Sequence, residues 1–525
     1  MLRLLTVLRR PFVFDLRALA LLRVAVAAVL LLDLGIRSTD LEALYSNMGV
    51  LPLQVLFEHN WNPYEFSLHS ASGLWQVQAF LFLIAGVAAL AMLLGYKTRF
   101  ATAVSWVLLV SLQNRNPLIS QGGDDLLRML LFWGFFLPWG RVYSLDARKR
   151  PTPTDLNYFS AATLAYVVQL ALVYWCTALL KSGAEWSQEY TAIYYALSLD
   201  QVLMPGGRLI YPYPELLKAL TFTTYYLEKF LPFLLFLPFW VPFWRILFVV
   251  VMFGFHLGIS LTLFVGLFFL INMASVLGLL PSVAMDWLER HLLPTTQQLR
   301  PRVAARLASL QSRFATWRRP VRVQVASSLE ISEGLRRLLR AMRNGLVTGI
   351  LVYVCWWNLD NIVDPRWTMS EGFRWIGYLV RVDQHWGMFA PTVFKDDGWY
   401  ILDATTIDGR HIDLNRKGRP TTYQKPKSVM RLFKNDRWRK YSENYLFISN
   451  TYMRPYYCNY LLRIWSENPC HPPLRHLDVI YMKEVSLPDY QVATPTREVL
   501  CGCDAQLPPP EVPNEQPLPT AAAPQ

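Results

Sequence analysis

Nine apolar runs constrain this chain more than any other feature: Ala18–Leu34, Leu74–Gly95, Phe100–Leu112, Leu126–Trp139, Ala161–Leu180, Leu217–Phe239, Trp244–Phe264, Val265–Leu280 and Leu346–Trp357. Several reach the roughly 20 residues a helix needs to cross a bilayer, and the shorter ones can pack inside a bundle. With 53% apolar and 14% aromatic residues among 525, the chain can bury a large core. The sequence predicts a polytopic α-helical membrane protein of about nine transmembrane helices, followed by a small α+β extracytoplasmic C-terminal domain.

A net charge of +13 in a soluble protein would suggest nucleic acid. Here the charge follows the loops instead, and no nucleic-acid partner is expected. Basic groups cluster at Arg3–Arg10, Lys97–Arg99, Arg148–Arg150, Arg245 and Arg290–Arg343, whereas Asp40–Glu65, Asn114–Asp125 and Glu185–Glu215 are acidic or poor in Lys and Arg. Nine crossings put every basic loop on one side, with the N-terminus cytoplasmic and the C-terminal domain outside. The opening MLRLLTVLRRPF resembles a signal peptide, but no small-residue cleavage site closes the long run behind it, so it reads as an uncleaved first span.

The expected organisation is a transmembrane helical bundle over 1–281, a basic amphipathic cytoplasmic segment over 282–345, and a last transmembrane helix over 346–362. An extracytoplasmic α+β domain over 363–507 and a disordered Pro- and Ala-rich tail over 508–525 complete it. In the outer domain Asp408-Gly409 between apolar stretches predicts a hairpin, and Arg437–Tyr441 and Tyr456–Trp465 read as helices. The Tyr-rich loop Gln188–Glu215 suits an interface belt of aromatic side chains, or else a lid over an apolar ligand. Of six cysteines, Cys176 and Cys355 fall in apolar runs. Cys458, Cys470, Cys501 and Cys503 fall in the outer domain, where disulfides are permitted and three pairings are open. Cys501-Gly502-Cys503 is too tight for a metal finger, and no metal is expected.

Candidate chemistry centres on Val173–Trp186, an apolar helix that ends by placing Lys181 where membrane gives way to water. A cation at that depth tends to sit in a protein-lined cavity and carry a function, or else to snorkel to the headgroups. Glu228-Lys229 interrupts the sixth run, and adjacent residues on a helix point apart, so each needs another partner. His256 lies about eight residues, or roughly 12 Å, from the outer end of the seventh run, compatible with the level of Lys181. At the end of the third run Asn114, Arg115, Asn116 and Asp124 form either a set of helix caps, with Asp124 as N-cap, or a polar cluster lining a site. In the second case Arg115 pairs with Asp124 or Asp125.

These residues carry a family resemblance. Val173-Tyr174, Lys181 and Trp186 match the VY-x(6)-K-x(4)-W stretch of the vitamin K-dependent gamma-glutamyl carboxylases, and Phe255-His256 with Gly266 and Phe268 resembles their FH-x(9)-G-x-F span. Arg23, Leu94-Gly95-x-x-Thr98-Arg99 and the spacing from Ser144-Leu145-Asp146 extend the similarity, which covers roughly Asp15–Pro281. The chain resembles the wider horizontally transferred transmembrane (HTTM) family, and Gln384-His385-Trp386-Gly387-Met388-Phe389-Ala390-Pro391 looks like the outer domain of its bacterial branch.

The resemblance implies a quinol-dependent oxygenase or carboxylase. A lysine, Lys181, would deprotonate a reduced naphthoquinone (vitamin K hydroquinone or menaquinol), which reacts with oxygen. The resulting base takes a weakly acidic carbon proton, and carbon dioxide traps the carbanion. His256 would bind the quinone oxygen, with Tyr174, Trp186, Asn114, Arg115 and Asp124 as candidates for the quinone pocket. The implied partners are membrane lipid, quinone and an extracytoplasmic protein or peptide substrate. The second reading is a non-catalytic HTTM module that binds a lipid, a quinone or an outer partner protein. In its favour, Ala147–Asp155 has no histidine where the animal enzymes place one, and the outer domain is shorter than theirs.

Overall fold

The computed structural model describes residues 2–291, 332–362 and 368–505. Among the described residues five helices are long and apolar enough to cross a membrane: Leu16–Ser38, Trp75–Leu94, Ala161–Leu180, Val241–Thr262 and Glu333–Asp360. A sixth results if the bent pair Phe268–Leu279 and Ser282–His291, which meet at 106°, forms one span. The remaining runs give shorter or more polar elements. Thr98–Arg115 ends in buried Gln113, Asn114 and Arg115, and Gly122–Phe136 has only 15 residues. Pro214–Phe230 passes into a 3-10 turn at Leu231-Pro232, where proline removes a backbone donor.

The last apolar helix starts at Glu333, not at 346, so the end of the basic segment and the span are one element of 28 residues capped by the Ser332 hydroxyl. The expected amphipathic segment begins with the helix Ser282–His291; its residues 292–331, and the tail 508–525, lie outside the described residues.

One set of motif residues locks the end of the bundle opposite the C-terminal domain. Trp75–Leu94 ends at Gly95 with φ +67°, a left-handed conformation that glycine adopts without strain. A β-carbon there would meet Ser144 at 2.3 Å and Arg23 Nη1 at 2.4 Å. The Arg23 guanidinium donates to the carbonyls of Met92 (2.7 Å), Leu93 (3.0 Å) and Tyr143 (2.6 Å), satisfying acceptors that every helix end leaves bare. The Asp146 carboxylate then accepts the first N–H groups of the next helix, Lys97 at 2.9 Å and Thr98 at 2.8 Å. Arg23, Gly95, Thr98 and Asp146 thus build one helix-turn-helix joint.

The C-terminal domain covers the other end. Its five-stranded antiparallel sheet runs in the order Arg419–Pro420, His411–Asp413, Asp396–Thr406, Leu474–Val485, Thr496–Asp504. Asp408-Gly409 makes the hairpin between the second and third of these, with Thr405 opposite His411, and Gly409 takes φ +84°. Helices Asp436–Leu446 and Arg454–Ser466 form where aromatic and basic residues predict them. Of the four cysteines in the C-terminal domain only Cys458 and Cys503 are joined. Cys470 and Cys501 are free thiols, because Cys458 on its helix faces the strand position of Cys503 and no partner faces the other two.

On the same sheet His476 lies opposite Asp504. It bonds that carboxylate at 2.7 Å and Asp478 at 3.1 Å. The hydrogen bond to Asp504, with Asp478 adding to it, holds the imidazole above its ordinary value. A raised histidine stabilises the fold fully below its unfolded pKa of about 6.5 and loses that contribution as pH rises through the folded value. His476→Gln is therefore expected to lower the melting temperature most near pH 5.5 and to match wild type near pH 8, as scanning calorimetry at both pH values will test.

Candidate functional site

Lys181 is the residue on which Ala161–Leu180 ends, and its side chain is 3% exposed. It does not snorkel. Its ammonium donates to the Glu228 carboxylate, itself buried, and lies 4.1 Å over the Trp186 ring. Glu228 comes from Pro214–Phe230, so the acid that breaks the sixth apolar run is the counter-ion of the base that ends the fifth. Its neighbour Lys229 turns away, over the rings of Tyr225 and Phe230.

Tyr174 precedes Lys181 by seven residues, almost two helical turns, so both occupy one helix face about 10 Å apart. The Tyr174 hydroxyl bonds His256 Nε2 at 3.1 Å and donates to Asn272 Oδ1 at 3.4 Å. Asn272 Nδ2 is tied to the Phe268 carbonyl at 2.8 Å, and Phe268 packs edge-on against the His256 ring. His256 Nδ1 has no hydrogen-bond partner among the described residues. Nε2 either accepts the Tyr174 proton or donates its own to the hydroxyl oxygen, so Nδ1 is left either as an unanswered N–H or as a bare lone pair. His256 thus joins Tyr174 and Asn272, while Lys181 joins Glu228 and Trp186; the two groups are stacked along the same helix rather than merged.

A lid of main chain closes the Lys181 end. Gln384–Pro391 folds back from the last span, and its Gln384 side chain accepts from Gln169 Nε2 (2.7 Å) and Trp386 Nε1 (3.2 Å). The Gln384 carbonyl accepts from Trp357 Nε1 at 3.1 Å. Farther along, the Pro391 carbonyl accepts from Gly183 N–H (3.1 Å) and the Phe389 carbonyl from Trp186 Nε1 (2.9 Å). The Glu185 carboxylate accepts from Val393 N–H at 2.9 Å. The loop that carries Lys181 is thus held by the segment that sequence reading placed in the outer domain.

The cluster expected at the third run is divided. Arg115 pairs with neither Asp124 nor Asp125; it donates to the Leu51 carbonyl at 2.9 Å. Asp124 is not the N-cap but the third helical residue, accepting from Gln121 N–H at 2.9 Å. Its charge is met by Arg37 (2.6 Å) and Arg437 (2.5 Å), which also hold Asp33 at 2.8 and 2.7 Å. Asp125 pairs with Arg128 at 3.1 Å. Asn114 bonds the Arg381 guanidinium and the Phe66 carbonyl. Asp124 and Asn114 tie the bundle to the C-terminal domain through Arg437 and Arg381, and among the described residues no hydrogen bond or ion pair joins any of these groups to Lys181.

Part of the Tyr-rich loop packs inward, on the C-terminal domain. Tyr194 and Tyr195 are buried, the Tyr194 hydroxyl donates to the Leu487 carbonyl at 2.6 Å, and Tyr490 donates to the Tyr211 carbonyl at 2.7 Å. The rings of Tyr194 and Tyr211 pack with Tyr490 of the C-terminal domain, whereas Tyr190 lies on Phe222 and Tyr213 is exposed.

Sequence reasoning missed Asn272 and the partners of Asp124. It singled out Glu228 without assigning it to Lys181; an acid within an apolar run near a lone buried lysine is the signal that links them. No protein-family model matches the chain, and no curated protein or solved structure matches it either.

Proposed function

We propose that this chain is an integral membrane protein of the HTTM type, with nine crossings of a bacterial inner membrane, a cytoplasmic N-terminus and an extracytoplasmic C-terminal domain. In this reading it is a quinol-dependent oxygenase or carboxylase whose base is Lys181. The observation that carries the reading is the isolation of Lys181 from water with one acid, Glu228, in reach among the described residues. Transfer of the ammonium proton to that carboxylate yields a neutral pair, and the free amine is the form that accepts a proton. The unpartnered Nδ1 of His256 suits a hydrogen bond to an oxygen of a reduced naphthoquinone, with Tyr174 and Asn272 orienting the ring. The quinol, when bound, supplies the electrons that reduce oxygen. Trp186 and Phe389–Pro391 exclude water from the amine, and the acceptor is an extracytoplasmic protein or peptide.

The test is quinone epoxide formation by purified protein in detergent with a reduced naphthoquinone, oxygen and bicarbonate. Wild type is expected to form epoxide, and Lys181→Ala to lose about a hundredfold or more, the usual contribution of a general base. No epoxide from folded wild type with vitamin K hydroquinone and with menaquinol overturns the enzyme reading. The alternative is a non-catalytic membrane module that binds lipid, quinone or a partner protein. The stable Lys181–Glu228 ion pair favours it, since a lysine held as ammonium is no base.

A further inference from the structure

Away from the bundle, three carboxylates converge where the Tyr-rich loop meets the sheet. Asp397 and Glu484 are directly opposite each other on neighbouring antiparallel strands, an arrangement in which like charges repel. Asp200, from the loop, completes the group, and one carboxylate oxygen from each lies within 4.8 Å of the others. Asp397 is fully buried. Its Oδ2 accepts the Asp200 N–H at 2.6 Å, whereas its Oδ1 is buried without a hydrogen-bond partner among the described residues.

One cation faces them. Lys425 Nζ lies 2.5 Å from Asp200 Oδ2 and also bonds Glu484. A single ammonium against three carboxylates leaves two negative charges without compensation, and Asp397 has no cation of its own.

We propose that Asp200, Asp397 and Glu484 form a calcium site that fastens the loop between membrane helices to the extracytoplasmic sheet. An all-oxygen, all-carboxylate donor set selects a hard divalent cation. Three acids on three separate chain segments suit the variable coordination of calcium better than the strict octahedron of magnesium. Lys425, whose side chain is 36% exposed, is the built-in competitor: it holds the acids together without the ion and swings to solvent when the ion binds. The sequence offered no sign of the site, because its ligands are almost 200 and 300 positions apart in the chain.

The experiment is calorimetric titration of the full chain in detergent, stripped with chelator, using calcium chloride and, separately, magnesium chloride. Wild type is expected to bind calcium with a Kd of about 0.1–1 mM, as extracellular modules do, and magnesium at least about tenfold more weakly. At about 10 mM calcium its melting temperature is expected to rise by about 3 °C. Asp397→Asn is expected to weaken binding by about tenfold or more, and Lys425→Ala to tighten it by about tenfold by removing the competing charge. If Asp397→Asn does not fold, Lys425→Ala decides. Should Lys425 be the only cation the cluster takes, that variant melts lower and stays indifferent to calcium, which overturns the proposal. No heat from wild type, or equal binding by Asp397→Asn, overturns it too.

Discussion

Arg437→Ala is expected to destabilise the protein by about 3–5 kcal/mol, the usual consequence of removing one member of a buried charge group. Arg437 and Arg37 face Asp33 and Asp124 in a cluster whose side chains are at most 5% exposed. Two cations balance two anions, so deletion leaves one carboxylate charge in a place that water does not reach. The guanidinium meets Asp124 through both terminal nitrogens, at 2.5 and 2.8 Å, and reaches Asp33 at 2.7 Å. A lysine ammonium cannot reproduce that fork. Arg437→Lys is therefore expected to recover less than half of the loss. Unfolding in mixed detergent micelles measures both variants, and limited proteolysis will show the C-terminal domain cut first in Arg437→Ala. A variant as stable as wild type would mean that the cluster is hydrated after all.

Glu228→Ala is the second large effect, again about 3–5 kcal/mol, because it strands the Lys181 ammonium beneath Trp186. The informative comparison is the apolar double replacement Lys181→Met with Glu228→Leu. Exchanging a whole buried ion pair for packed apolar residues is often neutral or stabilising by about 1–4 kcal/mol. The double variant is expected to unfold within about 2 kcal/mol of wild type, well above Glu228→Ala, and to form no epoxide. Such a result assigns the pair to function rather than to folding. A double variant as unstable as Glu228→Ala would assign it to the fold and weaken the case for Lys181 as a base.

The elements of this fold were legible where the information is local. Apolar runs marked the helices, Asp408-Gly409 marked its hairpin, and the alternation of aromatic and basic residues marked Asp436–Leu446 and Arg454–Ser466. Lys181 and His256 stood out because polar side chains in apolar surroundings demand a partner. The partners themselves were not legible. Lys181 and Glu228 are 47 positions apart and Asp124 and Arg437 are 313 apart, and periodicity along one helix says nothing about which helix lies beside it. The misassignment of Arg115 to Asp124 has the same origin: both sit in one loop region, but the third-run helix turns Arg115 toward Leu51 while Asp124 meets charges from the first span and the C-terminal domain. The contact of Tyr194 and Tyr211 with Tyr490 was hidden too, because rings that suit a lipid headgroup suit a protein contact equally well.

The Asp33–Arg37–Asp124–Arg437 cluster also imposes an order on biosynthesis. Asp33 and Arg37 leave the ribosome together, and Asp124 follows soon after, but Arg437 is made 313 residues later. At about 5–20 residues per second that interval is roughly 15–60 s. Through that interval the newly inserted bundle holds two acids against one guanidinium, with the seats of Arg437 and of Gln384–Pro391 still vacant. The chain closes its own mouth last, and until it does one buried carboxylate at that opening lacks its second cation.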